Sequence, residues 1–282
     1  MSKKSILRLG VERGLIEFKM MIKDPQTIIW TLFIFGIYML VIWLQKGITI
    51  EGVSLALLTL PSLLGILIAQ GGFSDTASAI AFDKEDGTVL RAKAIPRGIN
   101  AYFIAKITSI FLMTLVYLVV LFIPSLIIVP GILENVDAPE MALLGLYVVL
   151  GLLATTPFGA VIGSIVKTSG SGWGLSMAPM LILVAISGIF YPITALWGWL
   201  QVIAQIFPIY WLGLGFRSIF SPEAAAALEI GGSWRTWETI AVLSAWAIVG
   251  CIVAPRVIRK MTRRVSGGEM EAARQRTISR GY

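Results

Sequence analysis

The sequence predicts an all-α integral membrane protein with six transmembrane helices, and three observations carry that prediction. The 282 residues are 57% hydrophobic and only 14% charged, with a mean hydropathy of +0.85, the composition of a polytopic membrane chain. Uncharged runs of about 20 residues, the length that crosses a bilayer, recur between Pro25 and Pro255. The 23 Lys and Arg divide 20 to 3 between alternate sides of those runs, and the richer side is cytoplasmic. The net charge of +7 is thus topological and not a nucleic-acid footprint. The lone Cys251 allows no internal disulfide, and the chain has no histidine. Cys/His zinc sites and histidine-based catalysis are therefore excluded.

In order along the chain, residues 1–24 form an N-terminal unit, 25–258 the six-span domain and 259–282 a basic cytoplasmic tail. Between residues 3 and 23, apolar side chains at roughly helical spacing alternate with six bases. An interfacial helix on anionic headgroups fits this pattern; a plain charged tail is the alternative. No apolar core with a small-residue cleavage site is present, so no cleaved signal peptide is expected. Pro25–Gln45 supplies the first span. Gly52–Ser74 supplies the second, kinked near Pro61 and continuing as helix to Glu85. Ile107–Leu133, Met141–Val166 and Thr239–Pro255 supply the third, fourth and last.

The run Thr168–Phe216 holds no charge over 49 residues, long enough for two crossings. Two crossings would put the eight bases of the tail outside and destroy the charge asymmetry. The fifth span is therefore expected at about 173–190, with 191–216 re-entering the outer leaflet. Pro192 and Pro208 break that segment, and Trp197, Trp199, Tyr210 and Trp211 suit an interface. Both termini are then cytoplasmic.

Phe82–Lys106 is a charged island between apolar runs. The pattern predicts a helix end near Glu85, a break at Gly87, a short helical piece over Thr88–Lys93, a stop at Pro96 and a new helix from Ala101 capped by Asn100. Asp83, Glu85 and Asp86 precede the break, and Arg91 and Lys93 follow it. Such a bipolar patch can pair with a partner and set its register; a solvated loop is the alternative. No G-x-x-x-x-G-K-[ST], H-E-x-x-H or G-x-S-x-G motif occurs, so no P-loop ATP site is expected in this chain. Asp75 is the exception in spans otherwise poor in ionisable groups. A proton- or ion-coupled carrier usually relies on buried carboxylates, so any work done here is expected to be powered by a partner.

Glu85-Asp86-Gly87-Thr88 followed by Pro96, Tyr102 and Lys106 resembles the cytoplasmic loop of the ABC type-2 family of transporter membrane subunits. Ser187-Gly188-Ile189-Phe190-Tyr191-Pro192, Gly198-Trp199-Leu200-Gln201 and Pro208-Ile209-Tyr210 with Arg217 resemble that family's fifth span and outer re-entrant helices. Trp197 and Trp211 depart from the family pattern at the outer mouth. The likeness covers nearly the whole chain. It implies that Thr88–Lys93 is a coupling helix seated on a separate ATPase, with Glu85, Asp86, Gly87, Thr88 and Arg91 at the contact. It implies an exporter permease without its own ATPase site, in the plasma (inner) membrane of a prokaryote. ATP and Mg would be bound by two copies of the partner ATPase, and a second permease chain, the same or homologous, would complete the unit.

Polar and aromatic residues in the spans are the substrate-path candidates: Trp30 and Tyr38 on the first span, Thr59, Ser62 and Gln70 on the second, Ser176 and Ser187 on the fifth. Interhelical hydrogen bonding and lipid contact are the alternatives. Pro192, Trp199 and Pro208 are the expected outer re-entrant gate. The substrate is expected to be amphipathic, a drug, antibiotic or lipid. A partner-free secondary carrier or channel is the rival reading, and a membrane-embedded lipid enzyme a second. No metal site or nucleic-acid partner is expected; membrane lipids are.

Overall fold

The structure, a computed structural model, describes residues 5–50, 52–134, 136–166 and 168–264. Nearly all of it is helix. The order is α1 (Ile6–Lys23), α2 (Pro25–Leu44), a hairpin of β1 (Thr49–Ile50) and β2 (Val53–Ser54), and α3 (Leu55–Gln70). A wide π turn, Gly71–Asp75, leads into α4 (Thr76–Glu85). Then follow α5 (Thr88–Lys93), α6 (Gly98–Ile128), α7 (Ala138–Ile165), α8 (Ser169–Ala185), α9 (Gly198–Ile206), α10 (Pro208–Phe220) and α11 (Thr236–Arg264).

The five spans α2, α3–α4, α6, α7 and α11 contain apolar helix long enough to cross a membrane. The second is the hub: 83% of its most apolar window is buried inside the chain, against 11% for α2. A helix apolar all round yet closed in by neighbours is a core element, whereas α2 turns Ile29, Leu32 and Phe33 outward. Pro61 lies inside α3 and cannot bond the carbonyl four residues earlier. That carbonyl, on Leu57, instead accepts from Ser221 Oγ at 3.0 Å, which ties α10 to the proline turn.

Several boundaries differ from the sequence expectation. The strands replace the expected start of the second span at Gly52, because Gly52 at φ +82 makes their turn and Thr49 pairs with Ser54. The third span begins at Gly98 and not at Ala101. Arg97 takes φ +61 as its N-cap, so Asn100 is helical and caps nothing. α8 ends at Ala185, short of residue 190. At 17 residues it is about 26 Å long, marginal for a crossing. The expected basic tail starts as helix, since α11 runs to Arg264; residues 265–282 lie outside the described residues.

α9 and α10 meet at 90°, the bend that a broken or re-entrant segment requires. Pro208 sits in the first turn of α10, where its missing N–H costs nothing. Pro192 precedes a short 3₁₀ turn, Ile193–Ala195. Trp197 and Trp199 stack at 6.1 Å and are exposed. Tyr210 and Trp211 differ: both are buried, so they are core and not interfacial residues. Trp211 donates to the Gln205 carbonyl at 2.7 Å, and the Arg235 guanidinium lies 4.7 Å from its ring centre.

α1 is the amphipathic helix expected at the N-terminus. Asp24 caps α2 by accepting from the Thr27 hydroxyl and amide, each at 2.7 Å. The hydroxyl bond first, then the amide, holds the Asp24 carboxyl below its ordinary range.

Candidate functional site

The loop between α4 and α6 is organised around Gly87. At φ +80 it adopts the left-handed conformation that a Cβ disfavours. Asp86 then steadies the entry to α5: its Oδ1 accepts from the Thr88 amide at 2.8 Å and its Oδ2 from the Thr88 hydroxyl at 2.9 Å. Arg91 donates to Thr88 Oγ1 at 2.8 Å and to the Asp86 carbonyl at 3.2 Å. Asp86, Thr88 and Arg91 thus form one local network, with Asp86 and Arg91 still exposed. Val89 and Ala92 are the inward face of α5 and pack on Tyr102. Arg91, Lys93, Ile95 and Pro96 remain outward.

Beneath α5 lies a cluster that no local pattern in the sequence announces. Lys106 Nζ stands 2.7 Å from Asp83 Oδ2 and 3.0 Å from Glu17 Oε2. Tyr102 donates its hydroxyl to Asp83 Oδ2 at 2.7 Å. Arg13 Nε donates to Glu17 Oε1 at 2.9 Å, and its guanidinium sits 5.5 Å from the centre of the Tyr102 ring. The Lys106–Glu17 contact is ionic and not a directed hydrogen bond. α1, α4 and α6 are thereby joined under α5. Asp83, assigned from sequence to the bipolar surface patch, is buried and occupied here, so that assignment is corrected. Gly14 allows the approach: a Cβ there would fall 2.6 Å from both the Ala105 carbonyl oxygen and Thr108 Cβ.

Lys84 adds a second brace. Its ammonium donates to the Ser164 and Val166 carbonyls at 2.6 and 2.7 Å. It thereby caps the C-terminal end of α7, where a cation is favourable.

The substrate-path candidates separate into two groups. Thr59, Ser62, Ser176 and Ser187 are closed inside the chain. Ser62 donates to the Leu58 carbonyl, Ser176 to that of Gly172 and Ser187 to that of Val184; this is helix back-bonding, with no side exposed to a path. Trp30 is exposed and meets Phe33 edge-on at 5.8 Å, while Tyr38 and Gln70 are partly exposed. Ser62 has another duty: it accepts from Arg217 Nη1 at 2.7 Å, and Arg217 Nε pairs with Glu229 at 2.7 Å. Arg217 is 1% exposed.

No curated protein matches the chain. Residues 52–254, which take in the α4–α6 loop, the bent pair α9–α10 and most of the spans, match the profile described as ABC-2 family transporter protein. The chain therefore belongs to the ABC-2 family, as an integral membrane permease of an ABC transporter.

Proposed function

We propose that the chain is the permease subunit of an ATP-driven exporter of amphipathic compounds, powered by a separate ATPase. α5 is the coupling helix, and Glu85, Asp86, Thr88 and Arg91 form its contact with the ATPase. Two permease chains and two ATPase chains make the working unit. α8 is the fifth span, α9 and α10 re-enter from outside, and both termini are cytoplasmic. ATP-driven closure of the ATPases shifts α5 and, through the Asp83–Lys106–Glu17 cluster, the inner ends of the second and third spans. The observation that carries this is the placement of α5, with its polar face outward and its apolar face seated on Tyr102 directly over that cluster. A push there reaches two spans and the interfacial helix at once.

The test is charge reversal on the outer face of the loop. Glu85→Lys with Asp86→Lys places like charge against a partner built for the opposite sign, which can cost several kcal/mol across an interface. The variant should still insert, and it should lose its ATPase in pull-down and its transport. Full assembly and full transport by that variant would reduce α5 to a solvated turn. Transport by the chain alone on an ion gradient would favour the secondary-carrier reading.

A further inference from the structure

The four bases of α1 fall into two pairs. Arg8 and Arg13 are each answered one turn on, by Glu12 at 3.0 Å and Glu17 at 2.9 Å. Lys19 and Lys23 are exposed, and among the described residues neither takes an ion pair or a hydrogen bond. Four residues apart, they leave the same face of the helix, where like charges repel. That face is one wall of a cleft at the joint of α1 and α2. The cleft measures about 580 Å³ and is lined by Ile16, Lys19, Met20, Lys23 and Asp24. Ile16 and Met20 are 59% and 60% exposed. Asp24 is turned toward α2, since its Oδ2 accepts both bonds from Thr27. Two ammonium groups against one carboxylate leave the lining with a single positive charge. From the joint runs α2, the least buried of the five long spans, with Ile29, Leu32 and Phe33 exposed at helical spacing.

We propose that this cleft holds the headgroup of one anionic phospholipid, its phosphodiester between Lys19 and Lys23 and its chains against Ile16, Met20 and the exposed face of α2. The two free oxygens of a phosphodiester accept from two ammonium groups and cancel their repulsion. A singly charged lipid matches the charge of the lining. Lysine stems lie along apolar surface while their ammonium groups reach the headgroup level. The apolar wall between the lysines calls for an occupant with an apolar part, which soluble phosphate lacks. Bases near a bilayer attract anionic lipid in general. Here the glutamates hold Arg8 and Arg13, so the attraction is confined to the α2 end of α1.

The test is native mass spectrometry of the purified full chain in detergent micelles carrying equal, stepped amounts of dioleoylphosphatidylglycerol and dioleoylphosphatidylcholine. The unaltered chain should keep one phosphatidylglycerol ahead of any phosphatidylcholine. Lys19→Gln with Lys23→Gln should weaken that first binding about thirtyfold and leave phosphatidylcholine unchanged. Both lysines are exposed, so their replacement leaves the packed face of α1 intact. Arg8→Gln with Lys46→Gln removes the same charge from exposed positions outside the cleft, and should change phosphatidylglycerol binding by no more than about twofold. Equal losses in the two double variants would reduce the preference to net charge and overturn the proposal. So would unchanged binding in the cleft variant, or no preference in the unaltered chain. Glycerol 1-phosphate bound as tightly as the lipid would assign the cleft to a soluble phosphate ester. A lipid-free dimer that the cleft variant dissociates would assign it to a second copy of the chain. Either result also overturns the proposal.

Discussion

At the α5 end of the second span, the inner end in the proposed orientation, Lys106 answers two carboxylates, Asp83 and Glu17, and Tyr102 adds a hydrogen bond to the first. Toward its other end, Arg217 answers one, Glu229, and borrows Ser62. The inner side chains keep 11–15% of their surface; the outer pair keeps 2% and 6%. The outer pair is also less complete, for Arg217 Nη2 and Glu229 Oε2 are buried without a partner. Deep burial raises both the desolvation cost of a pair and the penalty for breaking it. The inner cluster links three elements, α1, α4 and α6, and keeps part of its surface open. The outer pair holds α10 on α3 with little in reserve.

Five substitutions sharpen that contrast, and thermal unfolding of the purified protein reads each. Glu229→Leu strands Arg217 and should cost about 3–5 kcal/mol. Combining it with Arg217→Met should restore most of the loss, because an apolar pair leaves nothing unpaired. If the double variant is no better than the single one, the pair is not the source of the cost. Lys106→Met leaves two carboxylates facing each other, and is expected to cost about 3 kcal/mol, less than the outer break because water can reach them. Ser62→Ala removes an acceptor from buried Arg217, an expected loss of about 2 kcal/mol. Tyr102→Phe should be the mildest, about 1 kcal/mol, since Asp83 keeps Lys106. An inner series costlier than the outer one would reverse the ranking drawn from burial.

Five long apolar helices were legible because the signal is local: uncharged runs mark them. The turn at Gly87 was legible for the same reason, an acidic-Gly-Thr sequence between two helical patterns. The charge pairs were not. Asp83 looked like part of a surface patch because its neighbours Glu85 and Asp86 are acidic, while its partners Tyr102 and Lys106 come from another helix, α6. Arg217 gave no sign of a buried pair because its partner Glu229 lies twelve residues away. Tyr210 and Trp211 carry the amphipathic chemistry of a membrane interface, and only the 90° bend before them shows that they turn inward. Burial in a bundle of uniformly apolar helices leaves little periodicity, so polar residues facing neighbours look like residues facing a path.

The glycine face of α1 bears on how the molecule is made. α1 leaves the ribosome well before α6, the helix against which Gly10 and Gly14 pack. Until then the face that Gly10 and Gly14 give it has nothing to pack on. Glu17 must wait for Lys106, as Lys84 must wait for the end of α7. The braces around α5 thus close late, Lys106 reaching Glu17 only once α6 is made and Lys84 reaching its carbonyls only once α7 is complete, and a nascent chain halted before α6 would carry an α1 without its packing partner.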